Sequence, residues 1–239
     1  MRVDLNPCYI LHHRSYREIR LLLDVFSKDH GRVNLIARGI KKNSKENKQA
    51  ILQPYQRLLL AWSGKSELAT LTKMEIESVR LDTTTNAMLC GFYLNELLVR
   101  LLHKHEPHLQ LFENYQHALD NLNHGRQTEF TLRLFEKALL DELGYGLTLD
   151  CDVETGDDIK TKTDYFYSIE QGASVQFVTL GDALKVSGET LIALREGVFD
   201  SERSLKEAKK LMRFLLKPLL GNKPLASREL FLQHKPVKS

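Results

Sequence analysis

The sequence has few cysteines, and the three that it has are not arranged for cross-linking. Cys8, Cys90 and Cys151 are widely spaced among 239 residues, and none belongs to a C-x-x-C pair. This odd number and wide spacing argue against a disulfide framework and against a zinc site. Residues 1–15 lack the apolar stretch of a signal peptide, and no apolar run is long enough to span a membrane. We therefore expect a cytoplasmic protein with no membrane partner.

The sequence also lacks the motifs of several large enzyme classes. It contains no G-x-x-x-x-G-K-[ST], no G-x-G-x-x-G and no G-x-S-x-G pattern, so nucleotide hydrolysis and serine-hydrolase chemistry have no support. Asp150, Asp152 and Glu154 have the spacing of a calcium loop, but threonines replace the glycine and the glutamate that such a loop requires. We predict a protein that is not an enzyme, with no catalytic residue, no bound metal and no cofactor.

A cluster of histidines between residues 103 and 108 is better explained by helix electrostatics than by metal binding. His103, His105 and His108 are close together, but Pro107 interrupts any helix there, and no second group of ligands has a motif spacing. Positive charge is favourable near a helix C-terminus. We therefore assign the cluster to the end of a helix.

Charge is strongly segregated along the chain, although the net charge is only +3. Residues 1–80 carry +7, residues 81–199 carry −10 and residues 200–239 carry +6, counted from the printed sequence. Two basic ends therefore flank an acidic middle. This arrangement favours a protein whose basic parts bind a polyanion.

The periodicity predicts an α+β protein, with an N-terminal OB-type β-barrel followed by a mostly α-helical domain that carries a small β-hairpin insert. About five short strands fill residues 8–80, which suits an OB-type barrel. Helical spacing predicts helices at 86–104, 108–122 and 128–143, and further helices near Gly188 and at Ser204, where Ser204-x-x-Glu207 resembles a capping box. We place the domains at 1–80 and 81–239, with the insert, and its hairpin turn at Gly172, at about 150–180.

The segment from Gly31 to Trp62 is the strongest candidate for a binding surface. In its first strand Val33, Leu35 and Ala37 alternate with Arg32, Asn34, Ile36 and Arg38, so one face suits a core and the other presents cations. Residues 38–48 then carry a net charge of +4. A solvated hairpin tip would also explain such a charged run. On a small barrel, however, cations and aromatics together are typical of single-stranded nucleic-acid binding.

We predict from this pattern a set of phosphate-binding cations and a set of stacking aromatics. The predicted DNA-binding cations are Arg14, Arg17, Arg32, Arg38, Lys41, Lys42, Lys45 and Lys48. The candidate aromatics are Tyr16, Phe26, Tyr55 and Trp62. Barrel interiors need aromatics too, so for each ring taken alone a place in the core is the stronger expectation.

The sequence resembles the RecO family of bacterial DNA repair proteins. The similar segments are an L-x-x-R-x-Y-x-E stretch from Leu11, GRVNLIARGIKK, LQPYQRLLL, FYLNELLVRLL, LRLFEKALLDELGYGLTLD and LLKPLLGNKPLASRELF. The resemblance implies a recombination mediator that binds single- and double-stranded DNA and anneals complementary strands. It also implies that, with the partner RecR, such a protein helps load RecA onto DNA covered by single-stranded DNA-binding protein, at the nucleoid.

Two further expectations come from this resemblance. Many members of the family look like zinc proteins with two C-x-x-C pairs, but here only Cys151 stands in that region, so we expect a metal-free remnant at 150–180. The family also binds the acidic, hydrophobic-ended tail of single-stranded DNA-binding protein on its helical domain. Such a tail needs an apolar pocket with a cationic rim, for which we predict Arg133, Lys209, Lys210 and Arg213. The same cations could instead contact DNA.

Overall fold

The computed structural model describes residues 2–16, 20–39, 48–64, 67–77, 84–125, 127–176 and 182–233, with only the backbone at 48 and 49. The chain divides into two compact units, Met1–Arg126 with Pro224–Ser239, and Gln127–Lys223. The chain therefore leaves the first unit, forms the second and returns to the first. The domain boundary at residue 80 marks the change from strands to helices in the sequence, and it stays a prediction. Among the described helices, none has the length and apolarity needed to cross a membrane.

The first unit contains the predicted five-stranded barrel. Its strands are β1 (Arg2–Ser15), β2 (Arg20–Ser27), β3 (Gly31–Arg38), β4 (Arg57–Ser63) and β5 (Leu68–Ile76). They close in the order β1-β2-β3-β5-β4, and a short helix, α1 (Lys48–Ile51), lies between β3 and β4 in the chain. Neighbouring strands are antiparallel except β3 and β5, which are parallel.

Strand alternation explains why the barrel forms. Val33, Leu35 and Ala37 are buried in the barrel core as predicted, because side chains two residues apart share one face of a strand. Trp62 of β4 belongs to the same core. Ile36 is also buried although it lies on the opposite face of β3. The outer face of this strand is therefore less polar than the alternation alone predicts.

Three helices complete the first unit, namely α2 (Thr85–Leu101), α3 (Leu109–Asn123) and α7 (Ala226–Gln233). The first two confirm the helices predicted at 86–104 and 108–122. Thr84 caps α2 by accepting a hydrogen bond from the N–H of Ala87. The buried Asn95 side chain donates to the carbonyl of Leu11 and so ties α2 to β1.

The second unit combines helices with a small sheet. Its helices are α4 (Thr128–Glu142), α5 (Gly188–Glu196) and α6 (Glu202–Leu220), and its strands are β6 (Asp164–Ser168), β7 (Gly172–Ser174) and β8 (Ala183–Ser187). The strand order is β7-β6-β8. The predicted hairpin is therefore confirmed as β6 and β7, and β8 adds a third strand that the sequence did not indicate.

The capping box predicted at Ser204 is wrong. Helix α6 begins one turn earlier, where the hydroxyl of Ser201 accepts a hydrogen bond from the N–H of Ser204. Glu207 lies a turn further into the helix, where its Oε1 accepts a hydrogen bond from the Arg203 side chain over 3.0 Å. Its carboxylate accepts hydrogen bonds from Ser187 and Thr190 at the start of α5. The capping-box pattern gave the wrong helix start because a second serine, Ser201, lies one turn upstream. The hydroxyl and N–H donors at the start of α5 then bind the Glu207 carboxylate.

Candidate nucleic-acid interface

The ends of three barrel strands bring arginines together on the outer surface. Arg20, at the start of β2, is the direct cross-strand partner of Arg38, at the end of β3. Arg14, near the end of β1, is paired with Leu22, two residues along from Arg20. These side chains point outward, because Leu21 on the alternate face is buried in the core. The arginines therefore share one outer surface.

Tyr16 extends this arrangement by one aromatic ring. Its N–H donates to the carbonyl of Arg20 over 2.8 Å, which continues the register that pairs Ser15 with Leu21. Tyr16, which directly follows β1, therefore forms one row with Arg20 of β2 and Arg38 of β3. Cross-strand neighbours lie about 5 Å apart at Cβ, so their side chains can act on one ligand. We call Arg14, Tyr16, Arg20 and Arg38 the end patch.

The end patch includes only part of the predicted cation set. Arg14 and Arg38 are exposed within it. Arg20 is half-buried and was not among the predicted cations. Its position two residues before Leu22 on the same strand places its side chain on the outer face. The predicted residues Arg17, Lys41, Lys42 and Lys45 lie outside the described residues, as does the side chain of Lys48, whose backbone belongs to α1.

Arg32 lies on the outer face of β3 as predicted, but its guanidinium is engaged within the protein. It forms a two-pronged ion pair with Asp24, with N–O distances of 2.8 and 2.9 Å. It also donates to the carbonyl of Leu102, just after α2, over 3.1 Å. This geometry makes Arg32 a link between the barrel and α2, and it is not part of the end patch.

Three of the four candidate stacking aromatics belong to the protein interior. Phe26 is fully buried, with its ring centroid 5.3 Å from that of Phe112. The buried Tyr55 donates its hydroxyl to the carbonyl of Met88, and Trp62 lies in the barrel core. Tyr16 differs from them, since 39% of it is exposed. Trp62 thus fills the barrel core, as the alternative reading predicted, whereas Phe26 and Tyr55 are buried against α3 and α2.

Comparison with known proteins identifies the family. The family model described as "Recombination protein O N terminal" matches residues 1–80, and "Recombination protein O C terminal" matches residues 83–229. The chain is 46% identical over 230 residues to a protein of Coxiella burnetii (strain RSA 493 / Nine Mile phase I), covering 96% of this chain and 98% of that one. It is 42% identical over 236 residues to a protein of Cellvibrio japonicus, covering 99% and 100%. Both relatives are named DNA repair protein RecO.

The chain belongs to the RecO family. The resemblance drawn from its sequence motifs is therefore confirmed. The family assignment also makes the N-terminal barrel OB-type, as the strand pattern predicted.

The RecO resemblance predicts a cationic rim on the helical part, and the structure places these four residues differently from one another. Lys210 and Arg213 are exposed on α6. Lys209 forms an ion pair of 3.1 Å with Glu129 of α4. Arg133 departs from the prediction, because it is only 4% exposed and forms a 2.6 Å ion pair with Glu136 on the buried side of α4. A buried arginine cannot form part of an exposed rim.

In the insert at about 150–180, which we expected to be metal-free, a buried carboxylate links two loops. The buried Asp152 accepts hydrogen bonds through Oδ1 from the N–H groups of Glu154 and Thr155, at 2.9 and 3.3 Å. Its Oδ2 accepts from the N–H of Val175, just beyond β7, at 2.8 Å. Asp152 therefore joins two loops of the insert, which is the structural task of a zinc ion between two pairs of cysteines.

The residues present do not fit a zinc site. Burial alone would raise the pKa of Asp152, but the hydrogen bonds from Val175, Glu154, Thr155 and Ser174 together lower that pKa below its ordinary value. Both carboxylate oxygens are thus used by protein donors. In the described part of the chain, no group of three or more histidines, cysteines or acids is placed to hold a metal ion.

Proposed function

We propose that this chain is a non-enzymatic recombination mediator that binds single- and double-stranded DNA through the end patch and anneals complementary strands. The observation that carries this proposal is the convergence of Arg14, Arg20 and Arg38 beside Tyr16 on one outer surface of an OB-type barrel. Membership in a family of DNA repair proteins supports it. In this proposal the chain works with RecR to load RecA at the nucleoid onto DNA coated with single-stranded DNA-binding protein.

The chemistry of the end patch suits contact with the DNA backbone. Arginine is always charged, and its planar guanidinium presents a fork of donors that matches phosphate oxygens. Contacts of this kind hold a strand without reading its sequence. Annealing breaks no covalent bond, so it requires only that two strands be neutralised and aligned.

Removing the arginines of the end patch tests the proposal. The triple variant Arg14→Ala, Arg20→Ala, Arg38→Ala should bind single-stranded DNA more weakly, because three phosphate contacts are lost. Each contact contributes about −0.7 to the slope of log K against log salt for single strands. The slope measured by fluorescence anisotropy at several salt concentrations should therefore become shallower by about 2.

The control is Arg2→Ala, which removes an exposed arginine at the opposite end of β1. This variant should keep the wild-type affinity and slope. Trp62 is the only tryptophan in the chain and lies in the barrel core, so its fluorescence reports whether each variant keeps the barrel folded. Unchanged affinity in a folded triple variant would overturn the proposal. A parallel competition with RNA oligomers separates DNA binding from the alternative of an RNA-binding barrel.

We also propose that α6 binds the acidic tail of single-stranded DNA-binding protein through Lys209, Lys210 and Arg213. The support is that α6 presents Lys210 and Arg213 outward while its apolar residues, such as Leu211 and Met212, are buried. Cations on an amphipathic helix can attract an acidic peptide and orient its apolar end. The alternative is an interaction scaffold whose basic surfaces bind acidic proteins and not DNA. The DNA-binding measurements above distinguish this scaffold from a DNA-binding mediator.

A further inference from the structure

The end patch holds an aromatic ring in line with two cations, and this combination suggests which form of nucleic acid it takes. Tyr16 lies in one cross-strand row with Arg20 and Arg38, and 39% of the residue is exposed. Phe26 is buried against Phe112 of α3, Tyr55 against α2, and Trp62 in the barrel core. Of these four rings, Tyr16 is the exposed one, and it lies beside the two arginines.

Aromatic rings beside cations are suited to nucleic acid with unpaired bases. Every base has a flat face that can stack on a tyrosine ring, while neighbouring arginines hold the phosphates on either side. A base inside a duplex is already stacked between its neighbours, and exposing it costs a few kcal/mol. An aromatic platform thus favours single strands, whereas arginines alone would bind both forms.

We propose that Tyr16 is a base-stacking residue and that the end patch takes a single strand, with one unpaired base against the Tyr16 ring and adjacent phosphates on Arg20 and Arg38. This inference rests on the proposed function and deepens it. It assigns the preference for single strands to one residue, and it separates that preference from the charge-dependent part of the affinity.

The test compares two oligonucleotides with the same phosphates, one an ordinary single strand and the other built from abasic nucleotides. Tyr16→Ala should weaken binding to the ordinary strand roughly five- to a hundredfold, the effect of losing one stacked base. The variant should bind the abasic strand as wild type does, and its salt slope should be unchanged because no phosphate contact is lost. Tyr16→Phe keeps the ring and should keep the affinity. Fluorescence anisotropy measures all of these affinities.

The outcomes separate the inference from the proposed function. If Tyr16→Ala binds the ordinary strand as tightly as wild type does, or loses equally on both strands, Tyr16 does not stack on a base. If the triple arginine variant also retains full affinity, the proposed DNA-binding surface fails with it. If the arginine variant loses affinity while Tyr16→Ala does not, only the stacking inference fails. Trp62 fluorescence again reports that the barrel is folded.

Discussion

Three donors from the start of α5 converge on one oxygen of Glu207. Oε2 accepts hydrogen bonds from the N–H of Ser187 at 3.1 Å, from the hydroxyl of Thr190 at 2.9 Å and from the hydroxyl of Ser187. Burial alone would raise the pKa of Glu207, but these bonds and that from Arg203 outweigh it and lower the pKa from 4.5 to about 2. The ionised carboxylate therefore fastens α6 to the N-terminus of α5, where negative charge is favourable.

Glu207→Gln should destabilise the second unit in a pH-dependent way. Because the folded pKa is depressed, the ionised glutamate contributes stability above the unfolded pKa near 4.5, and this contribution is lost as the pH falls toward 2. The shift corresponds to about 3 kcal/mol above pH 5, of which about half should be lost by pH 3. Urea unfolding followed by far-ultraviolet circular dichroism should show the two proteins converging as the pH falls.

Glu202→Gln is the matched control for this experiment. Glu202 lies on the same helix, but it is exposed and pairs with Lys206 within α6. Exposed pairs of this kind contribute little to stability. A constant difference between Glu207→Gln and wild type from pH 7 to pH 3 would contradict the assigned role of the charge.

At the scale of one element, α6 divides its residues between a buried stripe and an outward cationic surface. The double variant Lys210→Ala, Arg213→Ala should bind an acidic, hydrophobic-ended peptide at least tenfold more weakly, since close charge pairs at interfaces couple by about 1.5 kcal/mol or more. The same variant should keep its affinity for DNA if tail and DNA use separate surfaces. Isothermal titration calorimetry with the peptide and anisotropy with DNA measure the two affinities.

Lys185→Ala provides the comparison for α6, because Lys185 is an exposed cation of β8 in the same compact unit. Its loss should leave peptide binding unchanged. If the α6 variant loses DNA and peptide together, the helix belongs to a DNA surface. If it loses neither, the tail binds elsewhere.

At the scale of the whole molecule, local sequence patterns predicted the strands and helices. Tertiary contacts determined whether single side chains are buried, paired or exposed. The alternation of Val33 and Leu35 was enough to place β3, because a strand's period is a local property. The burial of Arg133 could not be predicted from the sequence. The three-residue spacing of Arg133 and Glu136 shows that both lie on one side of a helix, but it does not show whether that side faces the core or the solvent. The engagement of Arg32 depends on Leu102, seventy residues away. Sequence reasoning therefore found the basic barrel surface but not which cations remain outward.

The carboxylate of Glu96 binds the segment in which the chain returns to the first unit. Oε1 of Glu96 on α2 accepts a hydrogen bond from the N–H of Ala226 at 2.9 Å. Its Oε2 accepts from the N–H and the hydroxyl of Ser227, at 2.9 and 2.7 Å. Leu225, just before α7, is buried. A segment that follows the second unit in sequence therefore helps to stabilise the first.

Truncation after Lys223 should consequently destabilise the barrel unit, although every deleted residue lies beyond the second unit. Loss of the buried Leu225 and of the bonds to Glu96 should cost roughly 3 kcal/mol. Urea unfolding followed by Trp62 fluorescence should show the loss, because Trp62 reports on the barrel unit alone. Truncation after Gln233 keeps Leu225, α7 and the bonds to Glu96, and it should therefore retain the stability that they contribute. Identical midpoints for the two truncated proteins would mean that α7 is not needed to hold the first unit together.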